Sequence, residues 1–142
     1  MNVFNPLAAL LVAVAVLLAG TASASAAPLN GPNCTWNPNH GCAWFDHEGD
    51  EFYVCDYNSD GNSVVVQYQY ETRNGTKTGY AISRGRAVSQ SVKGRACPLD
   101  RENHAEGARF VARVCMAIYA KPGGKPIDVL ETTCGGWWKA RF

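Results

Sequence analysis

The sequence predicts an all-β fold: an antiparallel, immunoglobulin-like β-sandwich of about seven short strands held together by disulfide bonds. Three observations support this prediction. Apolar and polar side chains alternate over residues 64–71, turn residues recur every few positions, and the chain contains six cysteines. Alternation with a period of two, bounded by turn residues, is typical of strands with one buried face, and many such short strands are typical of sandwiches.

The N-terminal segment has the composition of an export signal. Residues 7–20 form an uninterrupted apolar run that is too short to span a bilayer, and Ala24-Ser25-Ala26 matches the small-x-small pattern of a cleavage site. We therefore expect residues 1–26 to be a signal peptide and residues 27–142 to form a single secreted β domain. A chain of that length is sufficient for one hydrophobic core.

The cysteines predict three disulfide bonds, because an even number in an exported chain is typical of a disulfide framework. Cys34 and Cys42 are close enough in sequence to close a short loop. A hairpin turned by PGGKP at residues 122–126 would place Cys115 and Cys134 opposite each other. Cys55 and Cys97 then pair by elimination. The predicted pairs are Cys34–Cys42, Cys115–Cys134 and Cys55–Cys97.

The first half of the domain predicts a loop followed by three strands. Asn, Pro and Gly indicate a loop at 30–40, and AWF at 43–45 follows as a short strand. Residues 51–55 and 64–71 are rich in Val, Tyr and Phe, and they flank the Asp/Asn-rich turn at 56–62, so we expect a central hairpin. Its predicted buried face consists of Phe52, Val54, Val64, Val66, Tyr68 and Tyr70.

The middle of the domain is predicted to contain a second hairpin and two loops. Asn74-Gly75 is a strong hairpin-turn signal, after which residues 80–82 return beside the preceding strand. Residues 84–94 are rich in Ser, Gly and Arg and predict a loop with one weak strand. Residues 98–107 are polar and follow a proline, which predicts a loop with one helical turn at 100–104.

The C-terminal part predicts one long strand. Over residues 108–120 the apolar side chains fit a period of two better than helical spacing. One face is predicted to carry Phe110, Ala112, Val114, Met116 and Ile118, and the other Arg109, Val111, Arg113, Cys115 and Tyr119. Residues 127–134 close the hairpin, and residues 135–142 form a Trp-rich tail.

Four short motifs of the mature chain are similar to those of a known group of proteins. They are Val54-Cys55-Asp56, Asp60-Gly61-x-Ser63-Val64, Glu106-Gly107-x-x-Phe110 followed by Cys115, and Cys134-Gly135-x-Trp137. In these motifs the chain resembles small secreted actinobacterial (Streptomyces-type) cysteine-containing β proteins of uncharacterised function. The resemblance implies a secreted β domain, and it transfers no functional residue because the motifs are structural.

Charge is distributed unevenly along the chain although its net value is only +1. Residues 28–71 contain seven acidic side chains and no Lys or Arg, whereas all thirteen Lys and Arg residues follow, with five acids. One interpretation is that strands from the two halves interleave and the charges mix on the surface. The others are a dipolar protein with a basic face for an anionic polymer, or a self-complementary dimer.

Two segments have the composition of metal sites. Asp56-x-Asn58-x-Asp60-Gly61 resembles the start of a calcium loop, but Gln67 stands where that loop needs a bidentate Glu, so we interpret the segment as a turn that could at most bind calcium weakly. Four zinc-type ligands are also close in sequence: Cys34, His40, Cys42 and His47. In an exported chain a disulfide is the preferred interpretation, and we predict neither a metal nor a cofactor.

Catalytic residues are not predicted. Histidine is the side chain best suited to act as a general base at physiological pH, but His40, His47 and His104 all fall in predicted loops. No cysteine is left as a nucleophile, and no G-x-S-x-G or H-E-x-x-H motif occurs. We therefore expect a protein that is not an enzyme. The alternative is a small extracellular hydrolase or nuclease in which His47, oriented by neighbouring carboxylates, acts as the base.

The tryptophans provide the main candidate binding residues. Trp44 and Trp137 are expected to complete the core. Trp138 should then be exposed, because neighbours in a strand point to opposite faces. Together with Lys139 and Arg141 it would form a small aromatic and basic patch able to contact an anionic or glycan surface.

The sequence thus favours a secreted binding or structural module that acts at the cell envelope, on another exported protein or on a cell-wall glycan. An alternative is an inhibitor of a secreted hydrolase that presents Arg84-Gly85-Arg86 to a trypsin-like site. Nucleic-acid binding is not predicted, since the basic residues are scattered and no recognised module is present. No membrane association is expected after signal cleavage.

Overall fold

The computed structural model describes residues 27–118 and 128–142, which form two antiparallel β-sheets packed face to face. The predicted signal peptide, the predicted turn at 122–126 and Tyr119 lie outside the described residues. The all-β prediction is confirmed: the described part of the chain contains strands, two 3-10 turns and no α-helix. None of its helical segments is long and apolar enough to cross a membrane.

One sheet has four strands in the order β1-β2-β3-β6, and every neighbouring pair is antiparallel. These strands are β1 (Asn30–Cys34), β2 (Gly41–Asp46), β3 (Glu51–Asp56) and β6 (Leu99–Arg101). All six residues of β2 and five of the six residues of β3 are buried. These two strands form the centre of the sheet, between β1 and β6.

The other sheet has five strands, in which β5, β4, β7 and β8 are neighbours in that order and β9 also pairs with β7. These strands are β4 (Ser63–Thr72), β5 (Gly75–Ile82), β7 (Arg109–Ile118), β8 (Asp128–Leu130) and β9 (Trp138–Arg141). The predicted turn at Asn74-Gly75 joins β4 to β5, with Gly75 at φ +100°, and the predicted return is confirmed by the pairing of Val66 with Ala81.

The core between the two sheets is aromatic. Phe45 and Phe52 of one sheet face Tyr68 and Phe110 of the other, and Phe142 stacks on Phe110 with ring centroids 4.3 Å apart. The alternation predicted for the long strands is confirmed here, because their inward residues are Val64, Val66, Tyr68, Phe110, Ala112, Val114 and Met116, all buried. Ile118, predicted on the same face, is 42% exposed at the end of β7.

The predicted central hairpin is wrong. Residues 51–56 and 63–72 are both strands, but β3 and β4 belong to different sheets, and the Asp/Asn-rich segment between them crosses from one layer to the other. A hairpin and a crossing between packed sheets use the same turn residues, and the layers are only about 10 Å apart. The sequence pattern therefore locates the strands without revealing which partners they take.

Three further elements differ from the prediction. Residues 30–34, expected to lie in a loop, form the edge strand β1, which pairs with β2. The helical turn expected at 100–104 is absent from the described structure there, and residues 99–101 instead form the short strand β6, in which Asp100 pairs with Phe52. Residues 84–93 contain no strand, and Val88 and Val92 pack against Trp44 and the outer side of the four-stranded sheet. Counting the short strands, the described residues contain nine strands instead of about seven.

All three predicted disulfides are confirmed: Cys34–Cys42, Cys55–Cys97 and Cys115–Cys134. The strand register predicted around the last pair differs from the observed one. β7 pairs Met116 with Leu130, three residues away from the predicted register, and the 3-10 turn at Glu131–Thr133 then brings Cys134 back over the strand to Cys115. This bond covers one end of the outer face of the five-stranded sheet, where Val65 and Ala117 are buried.

Candidate functional site

Basic side chains from β7 and β9 lie together on the outer face of the five-stranded sheet, at the end that the Cys115–Cys134 bond does not cover. Arg109 lies opposite Arg141, and Val111 lies opposite Lys139. Opposed residues point to the same side of a sheet and successive residues alternate, so these side chains share the outer face with Arg113, two positions further along β7. We call Arg109, Arg113, Lys139 and Arg141 the basic strip.

Three of the four cations in the basic strip have no acidic partner. Arg113 donates hydrogen bonds to Gln67 Oε1, at 2.8 Å, and to the Glu131 carboxylate. By contrast, no carboxylate of residues 27–118 and 128–142 lies within 4 Å of Arg109, Lys139 or Arg141. The sequence contains no Asp or Glu in residues 1–26 and 119–127. Arg109 directly opposite Arg141 is a like-charge pair, which is unfavourable in a sheet without an anion.

A groove of about 560 Å³ opens beside the strip. Arg109, Lys139 and Arg141 line it from β7 and β9, and Gln69, Glu71 and Thr76 line it from β4 and β5, together with Phe110, Val111 and Ala140. The Thr76 hydroxyl donates a hydrogen bond to Glu71 Oε1 at 2.5 Å. Guanidinium groups bind carboxylates and phosphates through paired N–H donors, so the groove has the chemistry of an oxyanion site.

The orientation predicted for the two adjacent tryptophans is the reverse of the one observed. Trp138 lies opposite Ala112, points inward and packs against Phe45, Phe52 and Phe110. Trp137 is 48% exposed, and the Arg113 guanidinium carbon lies 4.5 Å from its ring centroid. The alternation rule is right, but the phase of β9 follows from its pairing with β7, which the sequence does not reveal. Trp44 is buried, as predicted.

Of the predicted binding residues, Lys139 and Arg141 therefore lie on the basic strip, and Trp138 does not. Arg84 and Arg86 lie elsewhere, on the exposed loop that follows β5. Arg84 is fixed there by the buried Asp100, whose carboxylate accepts hydrogen bonds from the Arg84 guanidinium and from the Ile82 N–H, both at 2.8 Å. The two groups of candidates are therefore separate in the structure: Lys139 and Arg141 lie on strand β9, and Arg84 and Arg86 lie on the loop after β5.

The uneven charge along the sequence is partly neutralised by the fold. Acids of the first half pair with bases of the second half, Asp46 with Arg95 at 2.6 Å and Glu51 with Arg101. Both pairs lie on or beside the four-stranded sheet. The bases of β7 and β9 are far along the chain and on the other sheet, so they remain as a surplus on its outer face.

The Asp/Asn-rich segment uses its polar atoms to build the crossing between sheets. Asp56 Oδ1 accepts from the Asn58 N–H at 2.9 Å, Asp60 Oδ1 accepts from the Asn62 N–H at 2.9 Å, and the Asn58 amide donates to Asp60. Burial raises the pKa of the Asp56 carboxyl. These bonds fit the interpretation of the segment as a turn.

A buried polar cluster lies on the inner face of the five-stranded sheet, opposite the face that carries the basic strip. The Tyr68 hydroxyl donates to Glu102 Oε2 at 2.7 Å and lies 3.1 Å from His104 Nε2, while the His104 ring stacks on Phe142. Burial lowers the pKa of His104 and raises the pKa values of Glu102 and Tyr68. The cluster faces the core and not the groove, so we assign it a structural role.

His47, the base of the alternative hydrolase hypothesis, is exposed. It lines a cavity of about 400 Å³ together with Glu106, Arg141 and Phe142. In the described part of the chain no hydrogen bond or ion pair joins His47 to these residues, and His104 points into the core instead of this cavity.

The sequence prediction missed Arg109, Arg113 and the exposure of Trp137. A signal was present, because Arg109, Val111 and Arg113 alternate with core residues and were placed on one face of β7. Their significance depends on the strand beside them. Only the pairing of β7 with β9 turns two separate rows of alternating cations into one surface.

In comparisons with protein-family models, curated proteins and solved structures, this chain matched none.

Proposed function

We propose that this protein is an exported, disulfide-stabilised binding module that holds an anionic polymer of the cell envelope on its basic strip. The observation that supports this most directly is the opposed pair Arg109 and Arg141, with Lys139 beside it and no acid within 4 Å among the described residues. An oxyanion seated between the two guanidinium groups would remove their repulsion and make charge-assisted hydrogen bonds with both.

The shape of the strip favours a polymer over a single ion. Same-face residues of a strand recur about every 6.8 Å, so the strip extends for roughly 14 Å along β7 and β9. Each exposed cation contributes little by itself because water and salt screen it. Several negative groups on one chain would contact several cations at once, and the second and later contacts would then be intramolecular.

An exported location is consistent with the three disulfides, since such bonds persist in oxidising compartments. The predicted signal peptide and the resemblance to secreted actinobacterial β proteins point the same way. Two packed antiparallel sheets support the proposal that the domain is immunoglobulin-like in the broad sense. We propose binding and not catalysis, because the titratable cluster around His104 faces the core.

The proposal is tested by titrating the mature protein with sodium polyphosphate and with polygalacturonate in a calorimeter. A triple variant, Arg109→Gln, Lys139→Gln and Arg141→Gln, should lose at least tenfold in affinity for both polymers. Arg86→Gln is the matched control, because it removes one exposed cation from the loop after β5, which does not line the groove. Failure of the wild-type protein to bind either polymer, or equal binding by the triple variant with an unchanged melting temperature, would refute the proposal.

The second candidate function is inhibition of a secreted hydrolase by the loop that carries Arg86. The loop is held on both sides, by the Arg84–Asp100 ion pair and by the bond from the Val88 N–H to the Asp56 carbonyl at 2.8 Å. A fixed, exposed basic loop is what a trypsin-like site would need. Inhibition of trypsin by the wild-type protein and its loss in Arg86→Gln would support this function, whereas no inhibition would exclude trypsin as the target.

A further inference from the structure

Trp137 is an aromatic surface at one end of the basic strip. Its indole is 48% exposed, and the Arg113 guanidinium covers it at 4.5 Å from the ring centroid. Arg113 is itself held by Gln67 and Glu131. Because Arg113 covers one side of the ring and nearly half of the residue is exposed, we infer that the opposite ring face is available to a ligand.

Trp137 is also in line with the cations of β9. Trp137 immediately precedes β9, and its contact with the outward Arg113 places it on the same side of the sheet as Lys139 and Arg141, which are about 6.8 Å apart along the strand. Lys139 and Arg141 are confirmed on that side by their pairing with Val111 and Arg109. A ligand lying along β9 would therefore meet a flat apolar ring first and two positive charges next.

We propose that the anionic polymer is an acidic glycan, in which one sugar ring stacks on the open face of Trp137 and the acidic groups of the following units bind Lys139 and Arg141. This inference rests on the proposed function. The C–H groups on one face of a sugar ring are weakly positive and suit the negative face of an indole. Polyphosphate has the charge but no ring to place there.

Single-stranded nucleic acid would also combine a ring with a charged backbone, but the strip favours it less. Proteins that bind such strands stack successive bases on successive aromatic side chains. Here one exposed aromatic residue is followed along β9 by Lys139 and Arg141, and across from them by Val111 and Arg109. The arrangement suits one stacked ring with charges beyond it.

The test compares three probes of different chemistry: oligogalacturonate, sodium polyphosphate and oligothymidylate. Trp137→Ala should weaken oligogalacturonate binding roughly 5- to 10-fold, the range expected for one lost aromatic stacking contact, and should leave polyphosphate binding within about twofold of wild type. Trp137→Phe should restore most of the loss. Trp36→Ala is the matched control, because Trp36 is 80% exposed but lies in the loop before β2.

The outcomes separate the two proposals. Equal loss of both polymers in Trp137→Ala, or no loss of either, would overturn the glycan inference while leaving polyanion binding intact. Tighter binding of oligothymidylate than of oligogalacturonate would overturn it in favour of nucleic acid. If wild-type protein binds none of the three probes, the proposed function itself is wrong. Because Trp137 lies outside the core, its variants should keep the wild-type melting temperature, which is measured first.

Discussion

Binding of a polyanion to the basic strip should weaken steeply with salt, by an amount that the structure sets. Within the basic strip, Arg109, Lys139 and Arg141 are the three cations without an acidic partner among the described residues, so about three counterions should be released on binding. At about 0.7 per contact for a flexible polyanion, the slope of log K against log salt is about −2, and raising NaCl from about 50 to about 200 mM should weaken binding about 20-fold.

Removing one cation should change the slope as well as the affinity. With Lys139→Gln about two contacts remain, and the same salt increase should weaken binding only about 7-fold. Arg86→Gln should keep the wild-type slope, because Arg86 lies on the loop after β5. The slope is measured by calorimetric titration with polyphosphate at four salt concentrations. A wild-type slope near zero, or the same slope in Lys139→Gln as in wild type, would refute the assignment of the strip as the contact surface.

Two further predictions concern the stability of the fold. The Cys55–Cys97 bond closes a loop of 42 residues and the Cys34–Cys42 bond closes one of 8. Replacing Cys55 and Cys97 by Ala should therefore cost about 4 kcal/mol of stability in loop entropy, and replacing Cys34 and Cys42 about 2.5 kcal/mol. Both losses are measured by urea unfolding, and equal losses would contradict this order. Acid should destabilise the protein through His104. Because burial lowers its pKa, the unfolded chain takes up the proton first, and the free energy of unfolding falls as pH drops below about 6.5 toward the folded-state pKa. Glu102, with a raised pKa, changes the stability in the opposite direction. The measurement is therefore the difference in stability loss between wild type and His104→Asn. The variant should lose less stability on acidification, and an identical loss would show that His104 is not the source.

The sequence located most strands because alternation is a local signal. The residues predicted to face inward on β4 and β7 are buried, except the half-buried Tyr70 of β4 and the exposed Ile118 at the end of β7, and the turn at Asn74-Gly75 is where it was expected. Which strands pair is not a local property. Residues 57–62 could equally turn a hairpin or cross between layers, and nothing within them distinguishes the two.

The same limit explains the exchanged tryptophans. Alternation states that Trp137 and Trp138 point to opposite sides, but not which of them points inward. The pairing of Trp138 with Ala112 decides this, since Ala112 already belongs to the inward face of β7. Lys139 and Arg141 could be named in advance as candidates because they are charged and close to a Trp, whereas Arg109 became a candidate only when β9 was seen beside β7.

The alternation of β7 and β9 also separates binding from folding. Phe110, Ala112 and Trp138 point inward and pack in the aromatic core, while Arg109, Lys139 and Arg141 point outward from the same strands and contact no acid among the described residues. Replacing an outward side chain leaves no cavity and breaks no ion pair, so its effect on stability should be small. Substitutions in the basic strip can therefore change which ligand the surface binds without altering the core. The basic strip also costs the fold some repulsion between Arg109 and Arg141, which a bound anion would convert into attraction. Binding should therefore raise the melting temperature, and the rise should continue with the logarithm of the ligand concentration after the site is full.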